Sequence, residues 1–167
     1  MLPEAQDADF HMKTLNRILF ALVSAAAVFA VVAFVARPEA DASPEVPSNN
    51  RVKPAKPEKI AHGERVELRD YLVPGKITVF DFTSEYCPPC RAISPKLDEL
   101  HARRADIVVV KVDINRPDTK GIDWVSPVAL QYNLQGIPHF KVYNPKGELV
   151  AEGEKATEMV FEWLNPS

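Results

Sequence analysis

The sequence predicts an α/β domain, a mixed sheet with helices on both sides, carried behind a single apolar N-terminal span. Three observations predict it. Residues Ile18 to Ala36 form an almost unbroken apolar run without a charge. A proline-studded polar stretch separates that run from the remainder of the chain. In that remainder, the hydrophobic pattern runs strand, helix, strand, then helix, hairpin and helix.

Composition narrows the function classes. A chain of 167 residues suits one modest domain with additional segments. A net charge of -3 gives no reason to expect nucleic-acid binding, which shows itself in clustered Lys and Arg. With 2 cysteines, a multi-disulfide scaffold and a four-cysteine zinc site are both excluded.

Residues 1–17 are expected to be a short cytoplasmic tail. At a helical rise of ~1.5 Å per residue, residues 18–36 span roughly 28 Å, about one hydrocarbon core. Lys13 and Arg17 precede the run, whereas Arg37 is followed by Glu39, Asp41 and Glu45. That asymmetry favours N-inside, C-outside. The expectation is a signal anchor: a single-pass membrane protein with its C-terminal domain outside the cytoplasm, on the periplasmic side. A cleaved signal peptide is the alternative. Ala40-Asp41-Ala42 fits a small-x-small site loosely, although the run exceeds the usual ~7–15-residue signal core. Both alternatives export the C-terminal part.

Residues 37–58 read as a linker. Pro38, Pro44, Pro47, Pro54 and Pro57 are interspersed with charged and small polar residues that cannot build a core. Extended as polyproline at ~3.1 Å per residue, it reaches roughly 65–70 Å, a semi-rigid tether.

Residues 59–167 are the globular domain, long enough for a single core. A short strand is expected near 64–68 and a helical turn at 69–72, before the Pro74-Gly75 turn. A strand comes next over 76–82, then a helix over 88–103. The strand 107–113 opens with Ile107, Val108, Val109 and Val110, a run that suits a central strand covered on both faces. A short helix is expected over 127–132. Segments 139–144 and 148–152 flank Pro145-Lys146-Gly147 as a hairpin. A last helix, 157–164, is expected to bury Val160, Phe161 and Leu164.

Both cysteines fall in Cys87-Pro88-Pro89-Cys90, directly after the apolar run Ile77 to Phe82. A Cys-x-x-Cys pair where a buried strand meets a helix is a compact dithiol/disulfide switch.

The stretch Val79-Phe80-Asp81-Phe82-Thr83-Ser84-Glu85-Tyr86-Cys87-Pro88-Pro89-Cys90-Arg91 resembles the active-site segment of the thioredoxin family. Pro95 lies where that family bends the helix, and Leu97-Asp98-Glu99-Leu100 continues the match. Gly136-Ile137-Pro138 resembles the family's cis-proline loop, and Asn144-Pro145-Lys146-Gly147-Glu148 its hairpin turn. The resemblance covers residues 64–164 and is strongest to membrane-anchored, extracytoplasmic thioredoxin-like proteins. It departs at Tyr86, where Trp is usual, at Pro88, where Gly is usual, at Thr83 and at His139.

The resemblance implies a thioredoxin fold and a thiol–disulfide oxidoreductase. Cys87 is the expected nucleophile at the start of the helix, where free N–H groups favour an anion. Cys90, Ile93, Leu97 and Leu100 share one apolar helix face, which buries Cys90 as the resolving thiol and leaves Cys87 at the rim. Asp81, in an apolar strand, is implied to move the Cys90 proton, and Lys111 to be its partner. A buried carboxylate there has a raised pKa. Pro138 is implied to be cis and, with Ile137, Tyr86 and Pro88, to meet the substrate. Pro88 and Pro89 remove two N–H donors near Cys87, which disfavours a strongly oxidising disulfide. His62 and His101 have no partner by spacing and are read as surface residues. His139 is read as pointing outward and Trp124 as core.

No cofactor and no metal is expected. The implied partners are protein substrates carrying disulfides or thiols, and a membrane-embedded thiol electron donor, since exported compartments are kept oxidising. The direction expected is reduction. The alternatives are a disulfide oxidase or isomerase and a Cu(I) thiol chaperone using Cys87, Cys90 and His139.

Overall fold

A computed structural model of the chain describes residues 50–165. The tail 1–17, the apolar run 18–36 and the linker up to residue 49 lie outside the described residues. Among the described residues no helix is long and apolar enough to cross a membrane.

Five strands form one sheet in the order β1-β3-β2-β4-β5. They are β1 (Glu58–Ile60), β2 (Ile77–Thr83), β3 (Ile107–Asp113), β4 (His139–Tyr143) and β5 (Leu149–Glu152). β1 and β2 lie parallel to β3 on either side, and β4 runs antiparallel to both β2 and β5. β3 and β2 are central, as their aliphatic runs require. The helices are α1 (Pro88–Arg103), α2 (Pro127–Gln131) and α3 (Gly153–Leu164), with a 3-10 turn at Leu68–Tyr71.

Period-two alternation divides the core. Phe80 and Phe82 of β2 and Val108, Val110 and Val112 of β3 pack with Leu68, Leu72, Val128 and Ala129 on one face. Val79, Ile107, Val109, Phe140 and Val142 pack with Ile93, Leu97 and Leu100 of α1 and with Ala156 and Val160 of α3 on the other. Each of the Val, Leu, Ile and Phe side chains contributes roughly 1.5–3 kcal/mol when fully buried. Asp81 and Lys111 belong by parity to the α1 face.

Several expectations need correction. The first strand is at 58–60, and residues 64–67 form no regular element. Ala61, His62 and Gly63 all have positive φ, which turns the chain sharply after β1. Gly63 is needed there, since a Cβ would come within 2.5 Å of the Arg116 amide nitrogen. α3 starts at Gly153 rather than at 157, and its buried residues are Ala156 and Val160, while Phe161 is exposed. Trp124 is 41% exposed. The loop around it is closed by the Arg116–Asp123 ion pair and the Asn115 to Gly121 hydrogen bond, so the buried member is Asp123.

The stretch read as linker makes contacts of its own before β1. Lys53 donates to the carbonyls of His101 and Arg104 at the end of α1, at 2.5 and 2.6 Å. Arg51 pairs with Glu58 and lies 4.9 Å from the centre of the Tyr71 ring. His101, read as a surface residue, is buried against Pro54 and Val109.

Candidate functional site

The site is assembled where β2 ends and α1 begins. Ser84 shapes the turn: its hydroxyl accepts from the Tyr86 amide at 3.2 Å and its carbonyl from the Cys87 amide at 3.1 Å. Cys87 is the N-cap of α1 and has an extended backbone, and Pro88 and Pro89 occupy the first two helical positions. Prolines are tolerated there because those N–H groups have no intrahelical acceptor. Pro95, inside the helix, cannot donate to the Arg91 carbonyl one turn back.

Cys87 and Cys90 form a disulfide, with their Cα atoms 5.3 Å apart. The Cys90 amide donates to the Cys87 sulfur at 3.2 Å. The Ile137–Pro138 peptide bond is cis. The Ile137 carbonyl oxygen lies 3.6 Å from the Cys87 sulfur. Cys90 is fully buried, and Cys87 is only 2% exposed in the disulfide form, so it is less open than its position at the helix start suggested. Its neighbours Tyr86, Pro88 and Pro89 are exposed, and Ile137 and Pro138 are half-buried.

Asp81 is 0% exposed, and neither of its carboxylate oxygens has a hydrogen-bond partner. Burial pushes its pKa up to about 7, opposed by the Lys111 charge and aided by Asp98. Lys111 is the register partner of Asp81 across the β2–β3 pair. Its ammonium does not bond Asp81. It donates to the Ser94 hydroxyl at 2.7 Å and pairs with Asp98 at 2.5 Å, both on α1. A cavity of about 230 Å³ opens on the Cys90 side, lined in part by Thr83, Ser94 and Lys111.

His139 comes directly after the cis proline, on β4. Its Nε2 lies 3.4 Å from Glu152 on β5, and its ring meets the Phe82 ring edge to face, 5.7 Å between centroids. Lys141 shares Glu152 at 2.8 Å and, with that hydrogen bond, holds the carboxyl below its usual range. Among the described residues no cluster of three or more His, Cys, Asp or Glu is arranged to hold a metal.

The structure thus brings Cys87, Cys90, Ile137 and Pro138 together, with Asp81 and Lys111 beneath on the α1 face. Sequence reasoning missed Ser94 and Asp98. Their spacing from Cys90, four and eight residues along one helix, was the available signal.

The sheet order and the disulfide at a helix start define an α/β domain of one recognisable class. Residues 67–165 match the family model described as Thioredoxin, and the chain belongs to that family. It is 34% identical over 94 residues to Thioredoxin-2 of Pyricularia oryzae, covering 56% of this chain and 46% of that protein. It is 35% identical over 74 residues to Thioredoxin H3 of Arabidopsis thaliana, covering 44% of this chain and 55% of that one. The chain therefore spans about half the length of these curated relatives. Among solved structures, the thioredoxin of Trypanosoma brucei brucei shares the fold, with a TM-score of 0.50 at 19% identity, over 70% of this chain and 94% of that chain.

Proposed function

We propose that this chain is a membrane-tethered thiol–disulfide oxidoreductase that reduces disulfides of exported proteins. The observation that carries the reading is the Cys87–Cys90 disulfide at the N-terminus of α1, with the Ile137 carbonyl 3.6 Å from Cys87. In the reduced form the Cys87 thiolate attacks a substrate disulfide, forming a mixed disulfide and releasing one substrate thiolate. Cys90 loses its proton to Asp81 and displaces the second substrate sulfur. Two electrons pass to the substrate, whose two thiolates take one proton back from Asp81 and one from solvent to leave as a dithiol, and the Cys87–Cys90 bond closes. Tyr86, Pro88, Ile137 and Pro138 meet the substrate beside Cys87, whose sulfur lies 3.6 Å from the Ile137 carbonyl.

The tether supports the cellular part of the reading. Residues 18–36 anchor the chain, residues 1–17 stay in the cytoplasm, and the linker up to residue 49 holds the domain outside, since residues from Arg51 on pack against it. Such a reductase is recharged by a membrane-embedded dithiol carrier, which supplies the two electrons. Reduction is favoured over oxidation because Pro88 and Pro89 leave the Cys90 amide as the N–H that meets the Cys87 sulfur. A poorly stabilised thiolate makes a poor oxidant.

Two measurements test this. Disulfide reduction driven by a chemical dithiol must disappear in Cys87→Ser, and unchanged turnover would sink the catalytic reading. Equilibration of the chain against graded glutathione buffers must give a potential well below the glutathione couple. A potential above it would make the chain a disulfide donor or isomerase.

A further inference from the structure

The Lys111 ammonium has two partners on α1 and none on β2. Cys90, Ser94 and Asp98 are spaced four residues apart, so they lie along one face of α1. That face looks across at Lys111 on β3, the residue directly beside Asp81 in the sheet. The Ser94 hydroxyl and the Asp98 carboxylate together hold the ammonium, at 2.7 and 2.5 Å. Asp81 is left beneath with both oxygens buried and unpartnered.

An unpartnered buried carboxyl beside a lysine is unusual, because a direct ion pair is the cheaper arrangement for both groups. We propose that Ser94 and Asp98 are positioning residues: by holding the Lys111 ammonium on α1 they keep it off Asp81, and so leave the Asp81 carboxyl free to take and return a proton. The idea that this proton serves Cys90 rests on the exchange reaction proposed above.

An opposite charge brought within about 4–6 Å of a carboxyl lowers its pKa by roughly 1–3. A Lys111 bonded to Asp81 would fix it as a carboxylate, unable to donate and reluctant to accept. A Lys111 bonded to Ser94 and Asp98 acts only from a distance. The charge balance agrees, since burial raises the Asp81 pKa more than Lys111 lowers it. The other charged groups near Asp81 are few. Asp98 acts on it from α1, Lys59, Glu85 and Arg91 line the cavity that reaches Cys90, and its partner on β4 is Phe140.

The test is a carbon-13 titration of the Asp81 carboxyl in the 167-residue chain. It is made in the disulfide form, where no thiol titrates alongside. Ser94→Ala is the decisive variant because it changes no charge. It should free the ammonium to move toward Asp81 and lower the midpoint by about one pH unit, the low end of such effects. Asp98→Asn should lower it further. The Ser94→Ala shift should vanish in a Lys111→Met background, where the midpoint itself rises, whereas Asp98→Asn should keep there only the part due to its own lost charge. An unmoved midpoint in Ser94→Ala, or an equal shift with and without Lys111, would overturn the inference. Loss of disulfide reduction in the wild-type chain would overturn the proposed function instead, since the titration reads the carboxyl and not turnover.

Discussion

His101 bridges two segments that sequence distance separates, and Pro54 is one of them. The Val109 amide of β3 donates to His101 Nδ1 at 3.1 Å, so Nε2 carries the proton and donates to the Pro54 carbonyl at 2.9 Å. The ring must be neutral for both bonds to form. Burial lowers its pKa below the ordinary 6.5, and the nearby Lys53 charge pushes the same way, against the Pro54 bond and Asp98. The unfolded chain therefore takes up a proton at a pH where the folded chain does not. The stability His101 gives is complete above pH 6.5 and is lost as pH falls through the folded value. His101→Ala should lose about 2 kcal/mol at pH 8, from two backbone groups left unpaired. The loss should shrink below pH 6, read from urea midpoints. A constant difference across that range would mean the ring is charged as readily in the folded chain as in the unfolded one.

Asp81 works in the opposite sense. Its carboxyl, pushed up from 3.8 to about 7, keeps its proton in the folded chain where the unfolded chain has lost it. The folded state then binds more protons, so stability falls as pH rises between these values and levels off above. Asp81→Asn removes the titration. The advantage of the variant over wild type should grow by roughly 2–3 kcal/mol from pH 5 to pH 9 in the disulfide form. Urea unfolding with an unchanged slope is the check. A flat difference would show that Asp81 ionises freely while folded.

Much of the fold was legible because its signals are local. α1 has the predicted bounds, Pro88–Arg103, since two prolines start it and an apolar 3.6-residue face sustains it. β3 likewise coincides with its aliphatic run. Asp81 stood out as a charge at an inward parity. What failed was non-local. β1 is short and lies in a proline- and lysine-rich stretch, and it exists because β3 offers it an open edge. His101 finds partners 47 residues earlier and across the sheet. Lys111 had several acceptors within reach of a long flexible side chain, and its position in the strand could not choose among them.

The approach to β1 is therefore more than a spacer. Lys53 caps the carbonyls of His101 and Arg104, groups that the end of α1 leaves without helical donors, and its charge suits the negative end of the helix. A domain beginning at Lys59 should be less stable than one beginning at Asn50. Lys53→Met in the longer chain should lose on the order of 1 kcal/mol, that part of the difference which comes from one charged cap. Equal urea midpoints for the two lengths would return residues 50–58 to the role of a passive tether.

The redox potential should respond to one missing hydrogen bond. At the N-cap, the Cys87 sulfur can accept from the second and third helical N–H groups. Cys90 supplies the third, at 3.2 Å, and Pro89 withholds the second. Pro89→Ala restores that donor without altering the length of the Cys-x-x-Cys loop. A further hydrogen bond to the thiolate stabilises the reduced form by about 1 kcal/mol. For a two-electron couple this raises the potential by roughly 20 mV, toward the oxidising side. The Cys87 alkylation profile should move to lower pH in the same variant, because the thiolate forms more readily. Both readouts must move together. A potential that rises while the alkylation profile stays fixed would place the effect in the oxidised loop, and the proline at 89 would then act through backbone stiffness instead of through its missing donor.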